Sequence, residues 1–237
     1  MAISREPISF DIDGATHEGM YVSAGGGARP CIAVMHHWAG RAEDMIEMAE
    51  RMTDWGYNGF ACDLYGGART GSNPDENREM MGPLVADRGL LKTRMLANLQ
   101  AAAGHAGTAS GRMAAIGFCF GGLCVLDLAR ANAPVLGVAS FHGLLKSHDA
   151  AGSEPIKPRV TIHHGWDDPM VPPEDVVAIG KELTARKADW QLHAYGGAMH
   201  AFTTKHANMP DHGLQYNASA HRRSWAGLKD FLEEIFG

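Results

Sequence analysis

Residues 116 to 122 read Ile-Gly-Phe-Cys-Phe-Gly-Gly, which sets Cys119 midway between Gly117 and Gly121. The preceding run RMAAIGF (112–118) has the short apolar character of a buried strand, and LCVLDLAR (123–130) spaces its apolar residues as a helix does, so Cys119 stands at the tip of a strand-turn-helix. Glycines on both sides let strand and helix approach one another in a strained bend that presents a nucleophile. A thiol at the first turn of a helix also feels the partial positive charge of free backbone amides, which favours the reactive thiolate. The plainer reading is a small buried hydrophobe beside a packing glycine. Partners decide between the two.

A nucleophilic thiol needs a base, and the base needs a group to fix its tautomer. After the apolar run RVTIHHG (159–165) comes GWDDPMVP, with Asp167 and Asp168 opening a loop; after DWQLHAY (189–195) comes GGAMHAF, with His200 on a glycine-rich loop. The chain order is therefore Cys119, then Asp167 or Asp168, then His200, each at the end of a predicted strand. With 13 histidines in the chain, position counts for more than presence. His163 and His164 lie within a strand, and His105, His206, His212 and His221 fall in helices or loops with no acidic neighbour at a strand end. The doublet His36-His37 closes a strand, but adjacent strand residues face opposite ways. No H-E-x-x-H or comparable spacing is present, so no metal is expected.

The elements that must hold these residues alternate. PISFDID and HEGMYVSA, joined through Gly14-Ala15-Thr16, read as a hairpin closed by Gly25-Gly26-Gly27. Then follow a strand over 31–37, an amphipathic helix over 42–55 stopped by Gly56, a strand over 58–65, a glycine-rich loop through Pro74, and helices near 75–81 and 87–103. Strands over 135–142, 159–165 and 189–195 come after the cysteine turn, with helices near 174–187 and 217–236. Such alternation predicts an α/β fold with a mostly parallel central sheet covered by helices on both faces and an antiparallel amino-terminal hairpin, in one domain over 1–237. Ligands of such sheets collect at the carboxyl ends of strands, where Cys119 is placed.

Composition narrows the partners. The 27 acidic and 21 basic residues give a net charge of -6 without a basic run, which leaves no electrostatic footprint for nucleic acid. No apolar stretch of membrane-spanning length and no signal-peptide pattern in MAISREPISF are seen, so a soluble cytoplasmic protein is expected, as a monomer or homodimer without membrane partners. Cys31, Cys62, Cys119 and Cys124 show neither C-x-x-C nor zinc-ligand spacing. Of the four, only Cys119 has a reactive setting.

Taken jointly, G-F-C-F-G-G, D-L-Y (63–65), G-W-D-D-P-M-V-P, H-A-F (200–202) and the carboxy-terminal YNASAHRRSWAGLKDFL resemble the dienelactone hydrolase family of the α/β-hydrolase fold. The resemblance implies Cys119 as nucleophile, His200 as base and Asp168, fourth in G-x-x-D-x-x-V-P, as orienting acid, with Asp167 a loop acid. It implies an oxyanion hole of the Trp38 and Phe120 backbone amides, a small ester or lactone as substrate, and no cofactor. Two departures bear on the substrate. In MHHWAG, His37 stands where family members carry a glutamate that contacts the resting cysteine, and a pairing of His37 with the Cys119 thiolate is one expectation. The arginine that follows the histidine in the family is replaced in HAFTTK by Thr204 and Lys205, while Arg78 in NPDENREMM reads equally as the family's second carboxylate-binding arginine or as part of a solvated helix face. The expected function is an esterase or lactonase working through an acyl-enzyme. The rival is a non-hydrolytic binding protein of the same fold with Cys119 as a redox-sensitive thiol.

Overall fold

The structure, a computed structural model, describes residues 2–12, 14–148 and 152–237. Its strands are β1 (Ser4–Ile12), β2 (Ala15–Ser23), β3 (Arg29–Met35), β4 (Asn58–Ala61), β5 (Thr108–Phe118), β6 (Gly137–Phe141), β7 (Arg159–Gly165), β8 (Trp190–Tyr195), β9 (Asn208–Met209) and β10 (Leu214–Gln215). The helices are α1 (Glu43–Arg51), α2 (Pro74–Ala86), α3 (Arg88–Gly104), α4 (Phe120–Arg130), α5 (Pro173–Ala185) and α6 (Ala218–Phe236). The expected hairpin is formed by β1 and β2, with Asp13 of the expected first strand outside the described residues.

Eight strands make one sheet in the order β1-β2-β4-β3-β5-β6-β7-β8. The β1/β2 and β2/β4 pairs are antiparallel, and every pair from β4 to β8 is parallel. From β3 the chain first passes outward to β4 and then crosses back to β5, so the order reverses between β3 and β5, and loops leaving their carboxyl ends diverge around a crevice. Register aligns these ends: Met35 pairs with Gly117, Phe118 with Phe141, Phe141 with His163, and Gly165 with Tyr195. His36, Cys119, His142 and Trp166 therefore all leave the sheet at one edge.

Each face of the sheet carries its own core. Met45, Ile46 and Ala49 of α1 join Trp225, Leu228, Phe231 and Leu232 of α6 over Ile32, Val34, Ile116 and Ala139. On the other face Leu84, Leu91, Met95 and Leu99 of α2 and α3, the whole of α4, and Ile179 and Leu183 of α5 cover Cys31, Ala33, Met35 and Val160. Full burial of each large aliphatic or aromatic side chain contributes about 1.5–3 kcal/mol. Helix α4 is buried along its entire length, and its two charges are satisfied internally: Asp127 accepts from Arg88 Nε at 2.6 Å and Arg130 Nη1 at 3.1 Å, and Arg130 also grips Glu182 of α5 at 2.8 Å. The Cys119 turn thus sits on a helix clamped on two sides.

Side chains explain where element ends depart from the periodicity. The expected helix over 42–55 is α-helical only to Arg51 and tightens into a 3₁₀ turn over Met52–Trp55 before Gly56, whose φ is 86°. The helix expected near 75–81 runs on to Ala86, capped at its start by Asn73, and Asp87 caps the next one through Leu90 N at 2.9 Å. The strand expected over 58–65 stops at Ala61, because the Asp63 carboxylate captures the amides of Tyr65, Gly66 and Ala68 and turns the chain.

Candidate active site

Cys119 adopts φ 56° and ψ -113°, a strained conformation between β5 and α4, and its carbonyl accepts the first bonds of the helix, from Gly122 N at 3.0 Å and Leu123 N at 3.3 Å. Both flanking glycines are required by close backbone approach: a Cβ at Gly117 would strike the Gly121 carbonyl, and one at Gly121 the Met35 carbonyl at the end of β3. The turn leaves Cys119 partly exposed, whereas Cys31, Cys62 and Cys124 are buried. Burial pushes the Cys31 thiol up to about 12 and holds Cys62 and Cys124 well above the ordinary thiol range, so these three stay protonated.

The acid and histidine loops close on this turn from β7 and β8. Asp168 Oδ2 accepts from His200 Nδ1 at 2.7 Å, and its other oxygen accepts the Met170 amide at 2.8 Å, which fixes the carboxylate in the loop. Asp167, one residue earlier, is exposed and contributes its amide to the Ala198 carbonyl. The His200 loop is held in place by a small ladder in which His200 N donates to Gly213 O and Gln215 N donates to His200 O. With Nδ1 spent on Asp168, His200 turns Nε2 toward the thiol. That nitrogen is buried and completes no aligned hydrogen bond, and the Cys119 thiolate is the charge that most favours its protonation.

The electrostatics favour a thiolate-imidazolium pair. Burial works to raise the Cys119 thiol, but the His200 charge and contact, His37 and the Phe120 amide together bring it below its ordinary value. For His200, burial disfavours the cation, but the Cys119 thiolate and the Asp168 carboxylate outweigh it and lift the imidazole to about 10. The two shifts express one mutual stabilisation.

The histidine doublet divides as strand geometry requires. His36 turns into the core, where Nδ1 donates to the His37 carbonyl at 2.7 Å and Nε2 accepts from Leu64 N at 3.2 Å; burial holds it neutral, at about 4. His37 does not bond the thiol. Its Nε2 meets Asp44 of α1 at 2.8 Å and its Nδ1 accepts the Ala39 amide at 3.1 Å, so it reaches Cys119 by charge alone. The expected pairing of His37 with the Cys119 thiolate is therefore an interaction of charge and not a hydrogen bond, since both ring nitrogens are engaged elsewhere. Trp38 follows on the same loop, its carbonyl accepting from Tyr65 Oη at 2.8 Å, and no turn or loop hydrogen bond among the described residues takes up its amide. The Phe120 amide is among the groups that lower the Cys119 thiol.

Arg78 and Lys205 stand apart from this cluster. Arg78 lies on the exposed face of α2 in an ion pair with Asp75 at 2.5 Å, as the solvated-face reading expects. Lys205 is exposed beyond the His200 loop. Among the described residues no group of three or more His, Cys, Asp or Glu side chains is placed to hold a metal ion, and no helix is long and apolar enough to cross a membrane. A cavity of about 730 Å³ bordered by Leu145, His148 and Glu182 is lined by none of Cys119, Asp168 and His200.

Sequence reasoning missed His142. It leaves the end of β6 with φ 37°, is buried, bonds the Cys119 amide and packs against the His200 ring at 5.2 Å. The signal was available in kind, for His142 closes a strand at the same edge as the other site residues.

An eight-stranded sheet with a strained Cys119 turn after β5, an aspartate after β7 and a histidine bonded to it after β8 is the arrangement of the α/β hydrolases. The dienelactone hydrolase family profile matches residues 19–236, and the chain belongs to that family of carboxylic ester hydrolases. It is 36% identical to an uncharacterized protein of Caenorhabditis elegans over 65% of this chain and 99% of that one. To a "putative carboxymethylenebutenolidase" of Aquifex aeolicus it is 26% identical, over 82% of this chain and 85% of that one. Among solved structures it is similar to a dienelactone hydrolase-like promiscuous phosphotriesterase from metagenomic libraries, with 31% identity, a TM-score of 0.94 and complete coverage of both chains.

Proposed function

We propose that the chain hydrolyses small carboxylic esters or lactones through a Cys119-His200-Asp168 triad and a covalent acyl-enzyme. The supporting observation is the convergence of a partly exposed thiol of lowered pKa with a histidine whose far nitrogen is 2.7 Å from a buried carboxylate. The thiolate sulfur attacks the carbonyl carbon, and the carbonyl π pair moves onto oxygen, where the Phe120 and Trp38 amides stabilise it. Collapse breaks the carbon-oxygen bond, and the departing alkoxide takes the proton from His200 Nε2. Water then gives a proton back to His200 as it attacks the thioester; the thiolate leaves and a carboxylic acid is released. Asp168 holds the imidazole and stabilises its cation throughout. His37, Arg78 and Lys205 take no proton in this scheme.

A second substrate class has specific support. The relative that matches the whole chain at 31% identity is a promiscuous phosphotriesterase, and Arg78, the arginine matched to a carboxylate site, is exposed and paired with Asp75. Uncharged esters, including neutral phosphate triesters, therefore fit the site better than carboxylate-bearing dienelactone.

The test is turnover of p-nitrophenyl acetate, dienelactone and a dialkyl p-nitrophenyl phosphate by wild type and Cys119→Ala under reducing conditions. Hydrolysis of the acetate with loss of at least about 1000-fold in the variant is expected. Equal activity of variant and wild type would remove the triad from the reaction, and a reactive thiol without turnover of any of the three would favour the binding protein.

A further inference from the structure

The environment of His142 assigns it a task that no part of the triad performs. The Cys119 amide is shared between the Phe141 carbonyl at 3.0 Å and His142 Nδ1 at 3.2 Å. An amide only donates, so Nδ1 carries no proton and the ring's single proton sits on Nε2, which donates to Thr203 Oγ1 at 2.8 Å. Thr203 is three residues beyond His200 and is itself buried. One imidazole thereby spans the nucleophile turn and the histidine loop, packed edge-to-face against His200 at 5.2 Å and Phe202 at 5.3 Å.

Backbone conformation points the same way. Cys119, His142 and Ala201 are non-glycine residues at φ 56°, 37° and 57°, and they leave β5, β6 and β8 at the one edge where the triad assembles. Such conformations are strained and persist only where surrounding contacts hold them. We propose that His142 is a positioning residue which, by accepting the Cys119 amide at one nitrogen and holding the Thr203 hydroxyl with the other, locks the sulfur at its working distance from the His200 imidazole. The catalytic meaning of this lock rests on the hydrolase reading above; its effect on the thiol does not. A protonated His142 would lose its acceptor and set a like charge beside the His200 cation, so the bridge requires the neutral ring, the form that burial and the His200 charge both favour.

The experiment follows Cys119 alkylation by iodoacetamide against pH, with Cys119→Ala as blank, beside kcat and KM for p-nitrophenyl acetate. Thr203→Val removes the partner of Nε2 at nearly constant volume, Thr203→Ser restores the hydroxyl, and His142→Asn keeps a short acceptor in a residue that tolerates positive φ. Thr203→Val is expected to raise the alkylation inflection by about one pH unit and to lower kcat about tenfold with KM little changed, because thiolate and imidazolium separate. Thr203→Ser should return both, and the double variant should be no worse than His142→Asn alone. A folded Thr203→Val whose inflection and kcat stay within about twofold of wild type, a loss that serine does not restore, or additive effects would overturn the proposal. If His142→Asn does not fold, the threonine pair decides. A wild-type protein that is alkylated readily but hydrolyses nothing refutes the hydrolase reading, while the alkylation profiles still judge His142.

Discussion

Two histidine-carboxylate pairs flank Cys119, and they differ in which ring nitrogen each gives away. His200 commits Nδ1 to Asp168 at 2.7 Å and aims Nε2 at the sulfur; side-chain exposure of that pair is 3% and 0%. His37 commits Nε2 to Asp44 at 2.8 Å, in a pair exposed by 22% and 48%, and spends Nδ1 on the Ala39 amide. The same pairing therefore leaves one ring nitrogen toward the thiol in the first case, where the proposed mechanism uses it to carry a proton, and only a remote charge in the second. Even the charge of His37 is conditional: Asp44 favours the cation, but adding the second proton at Nδ1 must break the bond from Ala39. Which nitrogen is free, and how dry the pair is, matter more than the presence of a His-Asp pair.

The contrast can be broken most forcefully at the buried pair. His200→Ala should abolish turnover, and Asp168→Asn should lower kcat by roughly 10²–10⁴ by releasing the imidazole tautomer while Cys119 remains alkylatable; equal turnover by Asp168→Asn and wild type would remove the carboxylate from the mechanism. A weaker effect concerns buried histidines without a carboxylate. His163, which meets Tyr195 Oη at 2.9 Å, is held down to about 3 by burial and the neighbouring His193, and burial holds His36 down to about 4. The unfolded chain protonates both below about 6.5. Folding stability should therefore be complete above that pH and fall as pH drops toward the folded values, by up to about 1.4 kcal/mol per pH unit for each histidine. Urea melts of wild type and His163→Gln between pH 7 and pH 5 (about neutral to mildly acid) check the slope, which should be shallower in the variant. The smallest effect belongs to the exposed pair: Asp44→Asn and His37→Ala should raise the Cys119 alkylation inflection by only a few tenths of a pH unit, less at high salt, and cut kcat by less than about tenfold. A loss as large as that of His200→Ala would make His37 a proton carrier and erase the distinction.

Cys119, Asp168 and His200 were legible in the sequence because each ends an apolar run, and in a parallel sheet such ends converge. The glycines around Cys119 were legible for a related reason: only a residue without Cβ fits where the Gly117 position meets the Gly121 carbonyl. What stayed hidden depends on register and side-chain direction. Periodicity carried the expected strand on to residue 65, whereas the Asp63 carboxylate ends it at Ala61 by gathering three amides. The pattern MHHWAG shows two histidines but not that one enters the core and the other meets an aspartate seven residues later on α1. Arg78 carries the right charge, but its helix face turns it toward Asp75 and solvent. Residue order and local spacing were enough to determine a parallel sheet and the three groups at its edge. Only the tertiary structure decided that His142 bridges Cys119 and Thr203, because that bridge joins three loops separated by 23 and 61 residues, and packing, not sequence proximity, brings them within hydrogen-bonding distance.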